Sequence, residues 1–133
     1  MRKLRLLSMS AITILSLSAN GGDLDCDGGS HRDQMVCQGK LLKDLDDKLN
    51  SVYKLALAAL PEKDEQDIRK GREQLRKSQR AWLAYVRAQC DLEGGLQGGS
   101  NSWVSTFAGL CQEKEFNSRI AFLQSVADDT FGE

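Results

Sequence analysis

From residue 42 to residue 60 the apolar side chains recur every three or four positions: Leu42, Leu45, Leu49, Val52, Ala56 and Leu60, with Asp44, Asp46, Asp47 and Lys48 between them. That spacing predicts an amphipathic helix with one narrow apolar seam. Pro61 ends it, because proline has no N–H to donate and pushes the preceding residue into an extended conformation. Ahead of the seam, Ser30 and Asp33 have capping-box spacing. They predict a short helical turn through Val36, with Gly39 as a break before the main helix. A second helix is expected from near Asp64, with Ile68, Leu75, Gln79, Trp82, Val86 and Gln89 or Cys90 as its seam and Gly94-Gly95 as its end. Val104, Phe107, Cys111, Phe116, Ile120, Leu123 and Ala127 mark a third, followed by an acidic tail. No strand signal and no internal repeat interrupt this pattern. The expected fold is all-α, an antiparallel three-helix bundle, since a short connection at Pro61 turns the second helix back along the first.

The first 19 residues stand apart. Arg2, Lys3 and Arg5 precede an apolar run from Leu6 to Leu17, with the small residues Ser16, Ser18 and Ala19 at and just beyond its end. This is the organisation of a secretory signal peptide, and the run is short for a membrane span. The expected division is therefore residues 1–19 as leader and 20–133 as one small helical domain with an acidic tail, exported to the periplasm without a membrane anchor. The whole chain carries 18 Lys and Arg against 19 Asp and Glu. Three of those cations lie in the leader, which leaves a net charge of about −4 on the remainder. That balance argues against nucleic acid as a partner and is compatible with a cationic protein.

Export changes the meaning of the four cysteines, Cys26, Cys37, Cys90 and Cys111. In an oxidising compartment an even count reads as two disulfides. A zinc site is the alternative, but there is no C-x-x-C pair and His31 is the only histidine. If the first two helices are antiparallel neighbours, all four cysteines gather at one pole, where any of the three pairings is possible. Short sequence separation favours Cys26–Cys37 with Cys90–Cys111. Each such bridge would stabilise the fold by roughly 3 kcal/mol through loop closure.

Catalytic chemistry finds little support, and no cofactor or metal is expected. Asp46 and Asp47 are adjacent and point to different sides of a helix, so they cannot act as a facing pair. No serine or cysteine has an evident base. Asn50 with Tyr53, and Gln79 with Trp82, share faces on neighbouring helices and are expected to form a structural polar pair that fixes register. Arg69, Arg72, Arg76 and Arg80 form a basic stripe, expected to be solvated and balanced by nearby acids.

The segment from Cys90 to Cys111 is the best candidate for a binding surface. It carries Gly94, Gly95, Gly98 and Gly99, short polar groups at Ser100, Asn101 and Ser102, and Trp103, a large amphipathic anchor. A disulfide at its base would restrict the loop and lower the entropy lost on binding. Asp91, Glu93, Gly98, Gly99, Ser100, Asn101 and Trp103 are the candidate partner-binding residues. The competing view is that Trp103 caps the core and the glycines only link helices.

The segments LDDKLNSVYKLALAAL and LRKSQRAWLAYVRAQC, a GGS-containing loop, and a cysteine followed by Arg119 together resemble the LprI-type lysozyme inhibitor family. The resemblance runs from Cys26 to about Val126, on Cys26, Cys37, Asp46, Leu49, Asn50, Tyr53, Gln79, Trp82, Cys90, Gly99, Ser100, Cys111 and Arg119. The chain departs from it at Val86-Arg87, where the family tends to have Arg-Asp, and at Phe116, where a threonine is usual. The resemblance implies a small exported protein that is not an enzyme. It implies binding and inhibition of a cationic lysozyme-type cell-wall hydrolase by occlusion of its surface or cleft, as a monomer or weak oligomer. Other readings are an immunity or adaptor protein for another secreted toxin or envelope protein, and a structural envelope domain.

Overall fold

In a computed structural model the described residues are 26–62 and 67–130. The expected leader, the residues around Asp64 and the last residues of the acidic tail lie outside them. The described residues form three helices, α1 (His31–Ala59), α2 (Arg72–Gln97) and α3 (Asn101–Ala127), with one 3-10 turn at Ile68–Lys70 before α2. No strand occurs among them.

The Ser30 capping box that starts α1 is present in full. The backbone N–H of Asp33 donates to Ser30 Oγ, and Ser30 N–H donates to the Asp33 carboxylate. Gly39 does not break the helix; α1 runs straight through it. A glycine there costs only about 0.5–1 kcal/mol relative to alanine. Packing on both sides outweighs that, with Gln38 bonded across to Thr106 O at 3.1 Å and the Leu42–Leu45 seam beginning just beyond. At the other end Leu60 is extended (ψ 148°) ahead of Pro61, as proline requires.

The orphaned carbonyls at that end of α1 are met from α2. Arg72 Nε donates to Leu57 O at 2.7 Å and to Leu60 O at 2.8 Å, and Arg72 N–H donates to Pro61 O. The basic stripe is therefore not uniformly solvated. Arg72 is the C-terminal cap of α1, Arg72 and Arg76 both pair with Glu62, and Arg69 pairs with Asp67. The expected start of α2 near Asp64 is corrected to Arg72. Asp67 accepts from Arg69 N–H and caps the 3-10 turn instead, so Ile68 falls ahead of the helix.

The end of α2 is also corrected. Gly94 and Gly95 lie inside the helix, which stops at Gly98 (φ +73°), a left-handed conformation open to glycine. Gly94 serves packing: a Cβ there would lie 2.6 Å from Val104 O on α3. The long glycine-rich loop expected between Cys90 and Cys111 thus shrinks to a turn at 98–100, with helix on either side.

The chain runs up, down and up, and α3 packs along both α1 and α2. The hairpin expected of α1 and α2 is tight only at its Pro61 end; the two helices make few close approaches elsewhere among the described residues. The main core joins Leu45, Leu49, Val52 and Ala56 of α1 with Leu75 of α2 and Ile120 and Leu123 of α3. Leu49 and Leu123 are fully buried, each worth about 1.5–3 kcal/mol of apolar burial. A second cluster gathers Val86, Cys90 and Cys111, with Trp82 and Phe116 bridging the two. The departures at Val86 and Phe116 therefore fill the core with apolar surface, and Phe116 packs its ring 5.5 Å from that of Trp82.

Both disulfides have the expected pairing, Cys26–Cys37 and Cys90–Cys111. They lie in the same half of the bundle: Gln38, next to Cys37, packs against Gly109, two residues before Cys111.

Candidate functional site: an apolar end and a polar cleft

Two regions gather the residues singled out from the sequence. The first is the end of the bundle around the α2–α3 turn. Asp91 and Glu93 are exposed on α2, Gly98 and Gly99 make the turn, and Ser100 and Asn101 start α3. Ser100 Oγ lies 3.0 Å from Ser102 Oγ. Trp103 is held in the first turn of α3 and stays 44 % exposed. Its indole stacks on the His31 ring, centroids 4.0 Å apart and planes 22° apart, with Phe107 on the same helix at 6.1 Å. His31 Nε2 in turn lies 3.0 Å from Thr106 Oγ1. The N-terminus of α1, itself tied down by Cys26–Cys37, therefore braces one face of the tryptophan.

The structure also exposes apolar residues that the sequence reading missed, two on α2 and one on α3. Leu92, Leu96 and Leu110 are more than half exposed, Leu96 the most of any large apolar residue described, at 79 %. Leu96 stands two residues before Gly98 and Trp103 three after Ser100, so both flank one turn. The signal was available: Leu92 and Leu96 are one turn apart and fall off the Trp82–Val86–Cys90 seam.

The second region is a cleft of about 360 Å³ between α1 and α2, where the two helices part. Asp46, Leu49, Asn50 and Tyr53 line one wall; Arg76, Gln79, Arg80 and Leu83 line the other. The expected polar pair between the Asn50–Tyr53 and Gln79–Trp82 faces is made differently. Asn50 is exposed and donates to Asp46 within its own helix, at 3.1 Å. Gln79 is buried, and its partner is Arg119 of α3, whose Nε donates to Gln79 Oε1 at 2.9 Å. Arg119 Nη2 also donates to Ser78 Oγ at 3.0 Å, and the guanidinium lies 5.6 Å from the centroid of Trp82 and 4.9 Å from that of Phe122. Burial pulls the Arg119 pKa below its ordinary value, and the Tyr53 phenol opposes that shift. Trp82 thus serves as a packing surface for the cation.

Among the described residues no group of three or more His, Cys, Asp or Glu could hold a metal ion, and no helix is long and apolar enough to cross a membrane. A family model described as lysozyme inhibitor LprI matches residues 26–123. No curated protein and no solved structure gives a significant match.

Proposed function

The chain belongs to the LprI lysozyme inhibitor family, and from that premise we propose that it inhibits a lysozyme-type hydrolase in the periplasm by docking the end of its bundle onto the enzyme. The observation that carries this reading is Trp103, half-exposed yet stacked on His31 and followed along α3 by exposed Leu110. A braced aromatic loses little conformational freedom on binding, which is what an interface anchor requires. Leu92 and Leu96 add exposed apolar side chains at the adjoining end of α2. A monomer would present it openly to a partner.

Asp91 and Glu93, exposed on the adjoining turn of α2, suit a cationic enzyme and would speed encounter more than they tighten the complex. The glycosidase cleft of such an enzyme works through two carboxylates, and covering that cleft requires no chemistry from the inhibitor. The reading is of a binding protein, not an enzyme. Two disulfides support an oxidising compartment, and the leader-like N-terminus supports export.

The test is a turbidity assay of cell-wall lysis by c-, g- and i-type lysozymes with the disulfide-bonded protein added. Inhibition of one class is expected. No inhibition and no binding across all three would refute the reading.

A further inference from the structure

The α1–α2 cleft lies away from the proposed docking end and has a donor with no protein partner. Gln79 is only 7 % exposed. Arginine can only donate, so the Gln79 atom facing Arg119 is the oxygen, and the amide Nε2 points elsewhere. No hydrogen bond joins Nε2 to a described residue, yet no fully buried side-chain nitrogen or oxygen among them is left unpaired. Nε2 therefore meets solvent, and the surface that Gln79 lines is the cleft. Arg119 holds the amide in that orientation.

The walls narrow the class of ligand. Arg76 and Arg80, one helical turn apart on α2, offer guanidinium groups suited to a carboxylate. Arg76 shares its charge with Glu62, whereas Arg80 is exposed and has no ion-pair partner among the described residues. The opposite wall carries Asp46 and Asn50, which suit hydroxyl and amide groups, and the Asp46 charge disfavours a polyanion such as a phosphate ester. The Tyr53 ring adds an apolar face of the kind that packs on a sugar ring. A volume of about 360 Å³ falls within the range of small-ligand sites, about 300–1,000 Å³.

We propose that the cleft between α1 and α2 binds a carboxylate-bearing sugar, its acid group on Arg76 and Arg80, its hydroxyl side on Asp46 and Asn50, and the Gln79 Nε2–H as the donor at the floor. The site is separate from inhibition, so either reading can fail alone.

The experiment is an NMR titration of the disulfide-bonded chain with N-acetylmuramic acid, glucuronic acid and uncharged N-acetylglucosamine, following the side-chain amides of Asn50 and Gln79. Both acids should bind saturably and shift those signals, with the neutral sugar at least tenfold weaker. Tighter binding of N-acetylmuramic acid would point to cell-wall glycan as the source, and of glucuronic acid to a uronate polymer; both support the site. Arg80→Gln, a surface change, should weaken binding about tenfold. Gln79→Glu keeps an acceptor for Arg119 but removes the donor and adds a repelling charge, so it should abolish binding while circular dichroism stays unchanged. Trp103→Ala should bind the acids like the parent. The proposal is overturned if neither acid binds, if the neutral sugar binds equally well, or if Arg80→Gln binds as the parent does.

Discussion

Arg119 Nε donates to Gln79 Oε1 at 2.9 Å, joining α3 to α2 across forty residues of sequence through the one buried polar side chain among the described residues. Removing the arginine leaves that oxygen without its partner, a loss of about 1–3 kcal/mol, with the contacts to Trp82 and Phe122 lost as well. Arg119→Met is expected to destabilise by about 2–3 kcal/mol in urea denaturation. Adding Gln79→Leu should recover part of it, because replacing both polar partners is far less costly than orphaning one. A loss for Arg119→Met below about 0.5 kcal/mol, the range of an ordinary surface change, would show that the bond holds nothing together.

Two glycines inside helices should respond in opposite directions to the same substitution. Gly39 is exposed with nothing near its missing Cβ, so Gly39→Ala should stabilise by about 0.5–1 kcal/mol through helix propensity. Gly94 faces the Val104 carbonyl, and a Cβ would lie 2.6 Å from that backbone oxygen and 3.1 Å from the Ala108 Cβ. Gly94→Ala therefore forces α2 and α3 apart and should cost about 1–3 kcal/mol. Thermal melts of the two variants read the difference, and a Gly94→Ala protein as stable as the parent would mean that the helices do not approach this closely.

That pair also shows what the sequence could and could not reveal. Periodicity located the three helices, the Ser30 cap and the Pro61 stop, because each rests on residues a few positions apart. Short separation likewise favoured the correct cysteine pairing. Glycine type alone predicts chain breaks at Gly39 and Gly94-Gly95, yet Gly39 and Gly94 lie within helices; whether a glycine ends a helix or lets a neighbour approach depends on what faces it. Arg72 looked like one of four surface cations, and its role as the cap of α1 exists only once Pro61 has turned the chain. Gln79 was legible as polar on an apolar seam, but its partner on α3 was not. The exposed apolar residues are legible only in part: Trp103 stands out in the sequence by its size and type, whereas nothing distinguishes Leu92 and Leu96 from core leucines except that they fall off the seam.

Asp67 gives a test in acid. Hydrogen bonds from the Arg69 side chain, then from its backbone N–H, hold the Asp67 carboxyl down to about 2 from an ordinary 3.8. A pKa lower in the folded state means that the group stabilises the fold above the unfolded value. That contribution is lost as pH falls from about 4 towards 2. The carboxylate is solvent-accessible, so the effect is small and screened by salt. Asp67→Asn should make the fall of melting temperature between pH 4 and 2 shallower at low ionic strength, with the difference shrinking in high salt. An NMR titration placing Asp67 near 3.8 would contradict the ion-pair geometry.

The docking end makes the sharpest demand on the proposed function. Trp103 is braced by His31 and flanks the same turn as Leu96, so the two should act on a partner together while contributing little to the core. Trp103→Ala should weaken inhibition of the susceptible lysozyme at least tenfold, the scale of an aromatic interface anchor. Leu96→Asp should do the same with almost no change in melting temperature, since a side chain that is 79 % exposed holds no buried contacts to lose. Asp91→Ala with Glu93→Ala should act otherwise, slowing association at low salt and leaving the dissociation rate nearly unchanged, as expected of charges at the rim of an interface. Surface plasmon resonance separates the two effects. If Leu96→Asp and Trp103→Ala both inhibit like the parent, the enzyme is held by another face of the bundle. The apolar surface at the α2–α3 turn then needs a different partner.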